Sequence, residues 1–259
     1  MLDSGVGGLT VAKEIFRQLP AESVVYFGDT AHMPYGPRSP DQVRGFVYEI
    51  IDFLETQEIK ALIIACNAAT AAGLDYYAAR VDIPLLGVIE PAVRTALKQT
   101  RTGKVGVIGT TGTIRSGAYE HAFRRLAPEV QLSSRACPLF VLIVENGLIE
   151  SPEAEGVTRE YLGPLLEEGI DTLILGCTHY PLMSSVIQKV IGPGIKLISS
   201  AEETAREARM ILSRKNLLCR ENTKPRHRFF VSGPAKPFEN LAATLLGSSP
   251  KTYQVILPW

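Results

Sequence analysis

Unbroken runs of Val, Ile and Leu alternate along the chain with longer segments whose apolar positions recur at helical spacing, and Gly, Pro, Asp and Ser stand at the joins. The runs predict strands over 24–27, 61–65, 85–89, 104–108, 131–135, 172–175, 196–199 and 228–231. The segments between them predict helices over 40–57, 68–80, 90–100, 116–127, 151–168 and 201–216. Strands that are apolar throughout, rather than at every second position, belong to sheets covered on both faces. This is the α/β class, with mainly parallel sheets flanked by helices.

The pattern also repeats. A Gly-rich turn, Asp3-Ser4-Gly5-Val6-Gly7-Gly8, opens a helix near the start, and Gly109-Thr110-Thr111-Gly112-Thr113 opens another near the middle. ALIIA then runs into Cys66-Asn67, 63 positions after Asp3, and TLILG runs into Cys177-Thr178-His179, 68 positions after Gly109. Two pseudo-symmetric α/β units are expected, one over 1–90 plus 206–259 and one over 91–205. The polar stretch 214–228 is read as the connection back to the first.

Charge narrows the function classes. With 27 Lys+Arg against 27 Asp+Glu there is no electrostatic excess to gather nucleic acid or an anionic membrane. No apolar stretch approaches the roughly 18 to 20 residues needed to span a bilayer, and the start lacks a basic-then-apolar leader, so a cytoplasmic protein is expected. The four cysteines, Cys66, Cys137, Cys177 and Cys219, form no CxxC pair and are expected to be reduced. Cys137 and Cys219 are read as packing residues. Cys66 and Cys177 leave strands where helix N-termini offer free N–H groups, a position that favours chemistry. Holding such a thiol ionised at pH 7 costs only about 2 kcal/mol.

Other residues refine this. Thr10 stands where a GxGxxG fingerprint needs its third glycine, and no GxxxxGK[ST] occurs, so a dinucleotide or ATP phosphate site is not expected. Small residues at a helix start still suit a carboxylate. Asp3 is either a helix cap or a group for binding an ammonium and moving protons. His179, two residues after Cys177, can polarise that thiol. His32, His121 and His227 have no metal-ligand spacing with any cysteine. Glu145 reads as an exposed loop acid, and Met33-Pro34-Tyr35-Gly36 as a turn presenting backbone N–H groups.

The strings LDSGVGGLTV (2–11), YFGDTAHMPYG (26–36), IIACNAATAAGLD (63–75), VIGTTGTIRSGAY (107–119), CPLFVLIVENG (137–147) and LILGCTHYPLM (173–183) together closely resemble glutamate racemase. The resemblance implies a racemase needing no cofactor or metal, with its site between two α/β domains, supplying D-glutamate for peptidoglycan in a bacterium. It assigns Cys66 as the base for D-glutamate and Cys177 as the base for L-glutamate. Asp3 supports the Cys66 side, and His179, backed by Glu145, the Cys177 side. Substrate contacts carry over to Asp3, Ser4, Pro34, Tyr35, Gly36, Asn67, Ala68, Thr110, Thr113, Thr178 and His179. Glutamate is the implied partner, with no nucleic acid or membrane, and family members are often homodimers. An aspartate-type racemase, or a racemase-like binding protein of little activity, stays open beside this reading.

Two departures from the family pattern stand out. Ala68 replaces the usual Thr after Cys-Asn and deletes a hydroxyl, with Thr70 the nearest replacement. Only Met1 and Leu2 precede Asp3, so either further residues lie upstream or the first strand is stunted and its hold on Asp3 weak.

Overall fold

The structure, a computed structural model, describes residues 1–220 and 224–258. Its elements run β1 (Leu2–Asp3), α1 (Leu9–Gln18), β2 (Val25–Gly28), α2 (Pro40–Glu55), β3 (Leu62–Ile64), α3 (Asn67–Ala78), β4 (Leu85–Gly87) and α4 (Ile89–Gln99). Then follow β5 (Lys104–Gly109), α5 (Thr111–Arg115), α6 (Ala118–Leu126), β6 (Gln131–Ala136), α7 (Leu139–Glu145), α8 (Pro152–Glu167), β7 (Thr172–Gly176), α9 (Ser184–Ile191) and β8 (Lys196–Ser199). The chain closes with α10 (Ser200–Arg214), β9 (Arg228–Val231), α11 (Ala235–Leu246) and β10 (Thr252–Gln254). Residues 221–223 of the expected polar connection lie outside the described residues.

These strands form two sheets, ordered β10-β9-β2-β1-β3-β4 and β6-β5-β7-β8, and every pairing is parallel. Helices cover both faces of each, which is why the strands carry no polar alternation. Leu9, Ala12 and Ile15 of α1 pack with Ala201, Ala205 and Ala208 of α10 and Phe238 of α11 on one face of the larger sheet. Val43, Val47, Ile50 and Leu54 of α2 pack with Ala69 and Ala72 of α3 on the other. The smaller sheet lies between α7, α8 and α9 on one side and α4 and α6 on the other.

Local chemistry fixes the ends of the predicted helices. Ser39 and Gln42 form a reciprocal capping box with Pro40 in the first turn of α2, and Ser151 accepts from the Ala154 N–H ahead of α8 at 3.1 Å. Two segments cross between the sheets, through α4 and α10, and a bidentate ion pair binds them together. Arg94 Nε and Nη2 donate to the two carboxylate oxygens of the buried Glu207 at 2.6 and 2.7 Å.

The first strand corrects one expectation. β1 is only two residues long, yet it lies at the centre of the larger sheet, with Leu2 opposite Phe27 on one side and Ile64 on the other. The Leu2 carbonyl accepts from Ala65 N–H at 2.8 Å and the Asp3 carbonyl from Asp29 N–H at 2.9 Å. Asp3 is fully buried and firmly held.

Candidate active site

Both sheets direct the carboxyl ends of their central strands toward one cavity, the position where α/β sheets gather ligands. It is lined by Ser4 after β1, Met33 to Gly36 after β2, Cys66 to Ala68 after β3, Thr110 and Thr113 after β5, Val141 of α7, and Gly176 to His179 from the last residue of β7 onward. Its volume is only ≈ 20 Å³, room for about one water. The predicted substrate contacts thus converge, with Asp3 and Glu145 standing directly behind the lining.

Cys66 precedes the first residue of α3, at the helix N-terminus, and its Sγ lies 3.7 Å from the Ser4 hydroxyl. Burial and then the Asp3 charge push this thiol up to about 12, while the Ala69 N–H and the Ser4 hydroxyl pull the other way. Cys177 approaches from the smaller sheet, its Sγ 3.9 Å from Nδ1 of His179. His179 Nε2 lies 2.6 Å from Glu145 Oε1. Burial works against the imidazolium, but the hydrogen bonds to Cys177 and Glu145 and the charge of Asp3 outweigh it and raise His179 to about 10. One thiol is thus held protonated and the other faces a positive partner.

Asp3 bonds to both sides of the cavity. Its Oδ2 accepts from Gly5 N–H at 3.0 Å and its Oδ1 from the Thr178 hydroxyl at 3.3 Å. Burial lifts its carboxyl above the usual range, and His179 together with the Gly8 and Gly5 N–H groups and Thr178 draws it back. It is not the cap of α1, where Gly8 stands. The glycines of this turn permit close approach: a Cβ on Gly7 would lie 2.5 Å from Thr178 Oγ1 and 2.8 Å from His179 Nδ1.

The 33–36 turn lines the cavity, but Tyr35 also bonds away from it. Its hydroxyl donates to the buried Asp29 at 2.6 Å, and Ser232 donates to the same carboxylate at 2.6 Å. The turn meets the facing unit where Gly112 N–H donates to the Gly36 carbonyl at 2.8 Å. Thr110 caps α5 and shares a 3.0 Å hydrogen bond with Thr113. Among the described residues, no group of three or more His, Cys, Asp or Glu side chains is arranged to hold a metal ion.

A model of the Asp/Glu/Hydantoin racemases matches residues 6–208. The chain belongs to that family. The glutamate racemase of Oceanobacillus iheyensis is 49% identical over 96% of this chain and 91% of that relative. Among solved structures, a glutamate racemase of Bacillus anthracis superposes with TM-score 0.96 at 49% identity, covering 99% of this chain and 96% of that one. Glutamate racemase from Francisella tularensis, solved in complex with D-glutamate, gives 0.91 at 34% identity over 98% and 95% of the two chains.

Within this family frame, three expectations change. Glu145 is no exposed loop acid: it ends α7, whose buried face is Phe140, Val141, Ile143 and Val144, and its side chain is turned inward to His179. Thr70 does not replace the hydroxyl lost at Ala68, because its Oγ1 donates to the Ile64 carbonyl at 3.1 Å. Cys137 is core as expected, but Cys219 is half-exposed, and Lys60 Nζ donates to its sulfur at 3.2 Å. Asp29 and Tyr119 bond to the cavity-lining residues Tyr35 and Asn67 and escape a reading by residue type. Both fall within the conspicuous strings YFGDTAHMPYG and VIGTTGTIRSGAY, which is the signal available for them.

Proposed function

We propose that the chain interconverts L- and D-glutamate by a two-base mechanism. The observation that carries this is the pair of thiols lining one cavity from two different sheets, each with its own polar neighbour. Inverting a stereocentre needs a base on one face of the α-carbon and an acid on the other. In the L to D direction Cys177, beside the His179 imidazolium, takes the α-proton, and Cys66, held as a thiol, delivers one to the opposite face. In the D to L direction the roles exchange, with Asp3 and Ser4 beside Cys66.

Glutamate's carboxylates need donors rather than a large positive charge, in keeping with the neutral composition. N–H groups opening α3 and α5, the hydroxyls of Ser4, Thr110, Thr113 and Thr178, and the Asn67 amide supply them. These donors, fixed before substrate arrives, stabilise the charge that develops on the α-carboxylate. A cavity of ≈ 20 Å³ cannot admit glutamate, so the two units must part for entry, and their closure expels water from the reacting groups. Division of the chain into 1–90 plus 206–259 and 91–205 supplies the two moving bodies, with α4 and α10 as the hinge. The same reading makes D-glutamate for peptidoglycan, in the cytoplasm, by a homodimer.

The test is to incubate the purified chain with each enantiomer, without added cofactor, and follow circular dichroism. Decay of the signal to zero from both sides is expected. A faster decay with aspartate, or binding of glutamate without loss of optical activity, would replace this reading with the aspartate-type or the binding-protein alternative.

A further inference from the structure

Tyr119 belongs to α6, in the unit that carries Cys177, yet its hydroxyl reaches across the cavity wall to the residue after Cys66. It donates to Asn67 Oδ1 at 2.8 Å, and both side chains are buried, at 1% and 2% exposure. In this arrangement Oδ1 is taken up by the phenol, and Nδ2 has no hydrogen-bond partner among the described residues. A buried unpaired donor costs about 1–3 kcal/mol, so its retention on a cavity wall needs a purpose. The same phenol ring lies on the backbone just before the other thiol: a Cβ on Gly176 would stand 3.1 Å from its Cε2 and 3.3 Å from its hydroxyl.

We infer that Tyr119 is a positioning residue for racemisation, holding the Asn67 amide so that its NH₂ faces the substrate carboxylate and coupling that orientation to closure of the two units. It acts through Asn67 and touches no reacting atom. The inference rests on the proposed reading of Asn67 as a substrate contact. Without the phenol the amide can rotate and present its oxygen to an anion, which repels it. With the phenol, separation of the units breaks the Tyr119 bond and releases the amide, so substrate is gripped only in the closed form.

The test is a double-mutant cycle on KM and kcat with Tyr119→Phe and Asn67→Ala, with thermal midpoints measured in parallel. Tyr119→Phe is expected to raise KM for glutamate about five- to tenfold while kcat changes much less, the loss of one oriented hydrogen bond. In the Asn67→Ala background the same change is expected to raise KM no further, since the group it orients is gone. An equal, additive penalty in both backgrounds would overturn the inference, as would an unchanged KM for Tyr119→Phe alone. An Asn67→Ala variant with unaltered KM would remove the underlying reading of Asn67, and the inference with it. If Asn67→Ala does not fold, Asn67→Asp takes its place, keeping the volume and an acceptor for Tyr119 but not the donor.

Discussion

Glu145 Oε1 and His179 Nε2 stand 2.6 Å apart across the end of α7, and the other nitrogen of the same ring faces Cys177 Sγ at 3.9 Å. The carboxylate therefore orients the ring beside the thiol and, together with the hydrogen bond to Cys177 and the charge of Asp3, favours its charged form. Replacing Glu145 with Gln keeps the shape and removes the charge. We expect kcat/KM to fall about 10- to 100-fold. The fall is the same in both directions, because enantiomers are equal in free energy in water and their interconversion has an equilibrium constant of one. The alkaline limb of the pH–rate profile moves to lower pH as His179 loses its anionic partner. Initial rates from each enantiomer over a pH series check this, and an unmoved alkaline limb would contradict it.

The same ring makes stability depend on pH. His179 is raised from its ordinary 6.5 to about 10, so the folded state binds a proton that the unfolded state releases. Its contribution is fully present below pH 6.5 and is lost as pH rises through 10. Thermal midpoints should decline across that window more steeply for the wild-type chain than for His179→Gln. Parallel curves would show that the ring does not carry the proton.

Much of the fold is legible in the sequence because a parallel sheet buried on both faces writes continuous apolar runs, and Ser39 and Ser151 mark helix starts chemically. Some of the elements left unread lack such a contrast. A two-residue strand such as β1 has no period. Residues 139–144, Leu-Phe-Val-Leu-Ile-Val, are apolar throughout, so α7 shows no polar face and Glu145 after it looks like a loop residue. At the site, Cys66, Cys177 and His179 are legible from residue type at the exits of matched strands. Tyr119 and Asp29 are not, because what they do depends on partners far along the chain.

Ala68 lines the cavity beside Asn67, and the Thr70 hydroxyl is spent on the Ile64 carbonyl rather than standing in for the missing one. Ala68→Thr restores it. A hydrogen bond of about 0.5 to 1.5 kcal/mol net corresponds to a two- to tenfold lower KM for glutamate. Steady-state kinetics decide this, and a raised KM would mean that the wall here accepts no extra atoms.

Gly7 separates the turn after β1 from the loop that carries His179. Gly7→Ala forces a carbon against Thr178 and His179, and we expect a loss of about 1–3 kcal/mol in stability together with most of the activity. Gly45, exposed within α2 with open space around its Cα, provides the control. There Ala should be neutral or stabilise by up to about 1 kcal/mol. Denaturant titration and rates on both variants check the contrast, and equal behaviour would remove the close-approach argument.

The central claim is that two thiols work on opposite faces of one carbon. It is tested most directly by converting L-glutamate in deuterium oxide and reading the isotope at Cα of both enantiomers early in the reaction. The account predicts D-glutamate that carries deuterium from its first appearance, while the remaining L-glutamate stays protiated, since the acid that delivers the new hydrogen is not the base that removed the old one. Product that retains the substrate's hydrogen, or substrate that gains deuterium as fast as product forms, would point to a single base and contradict it.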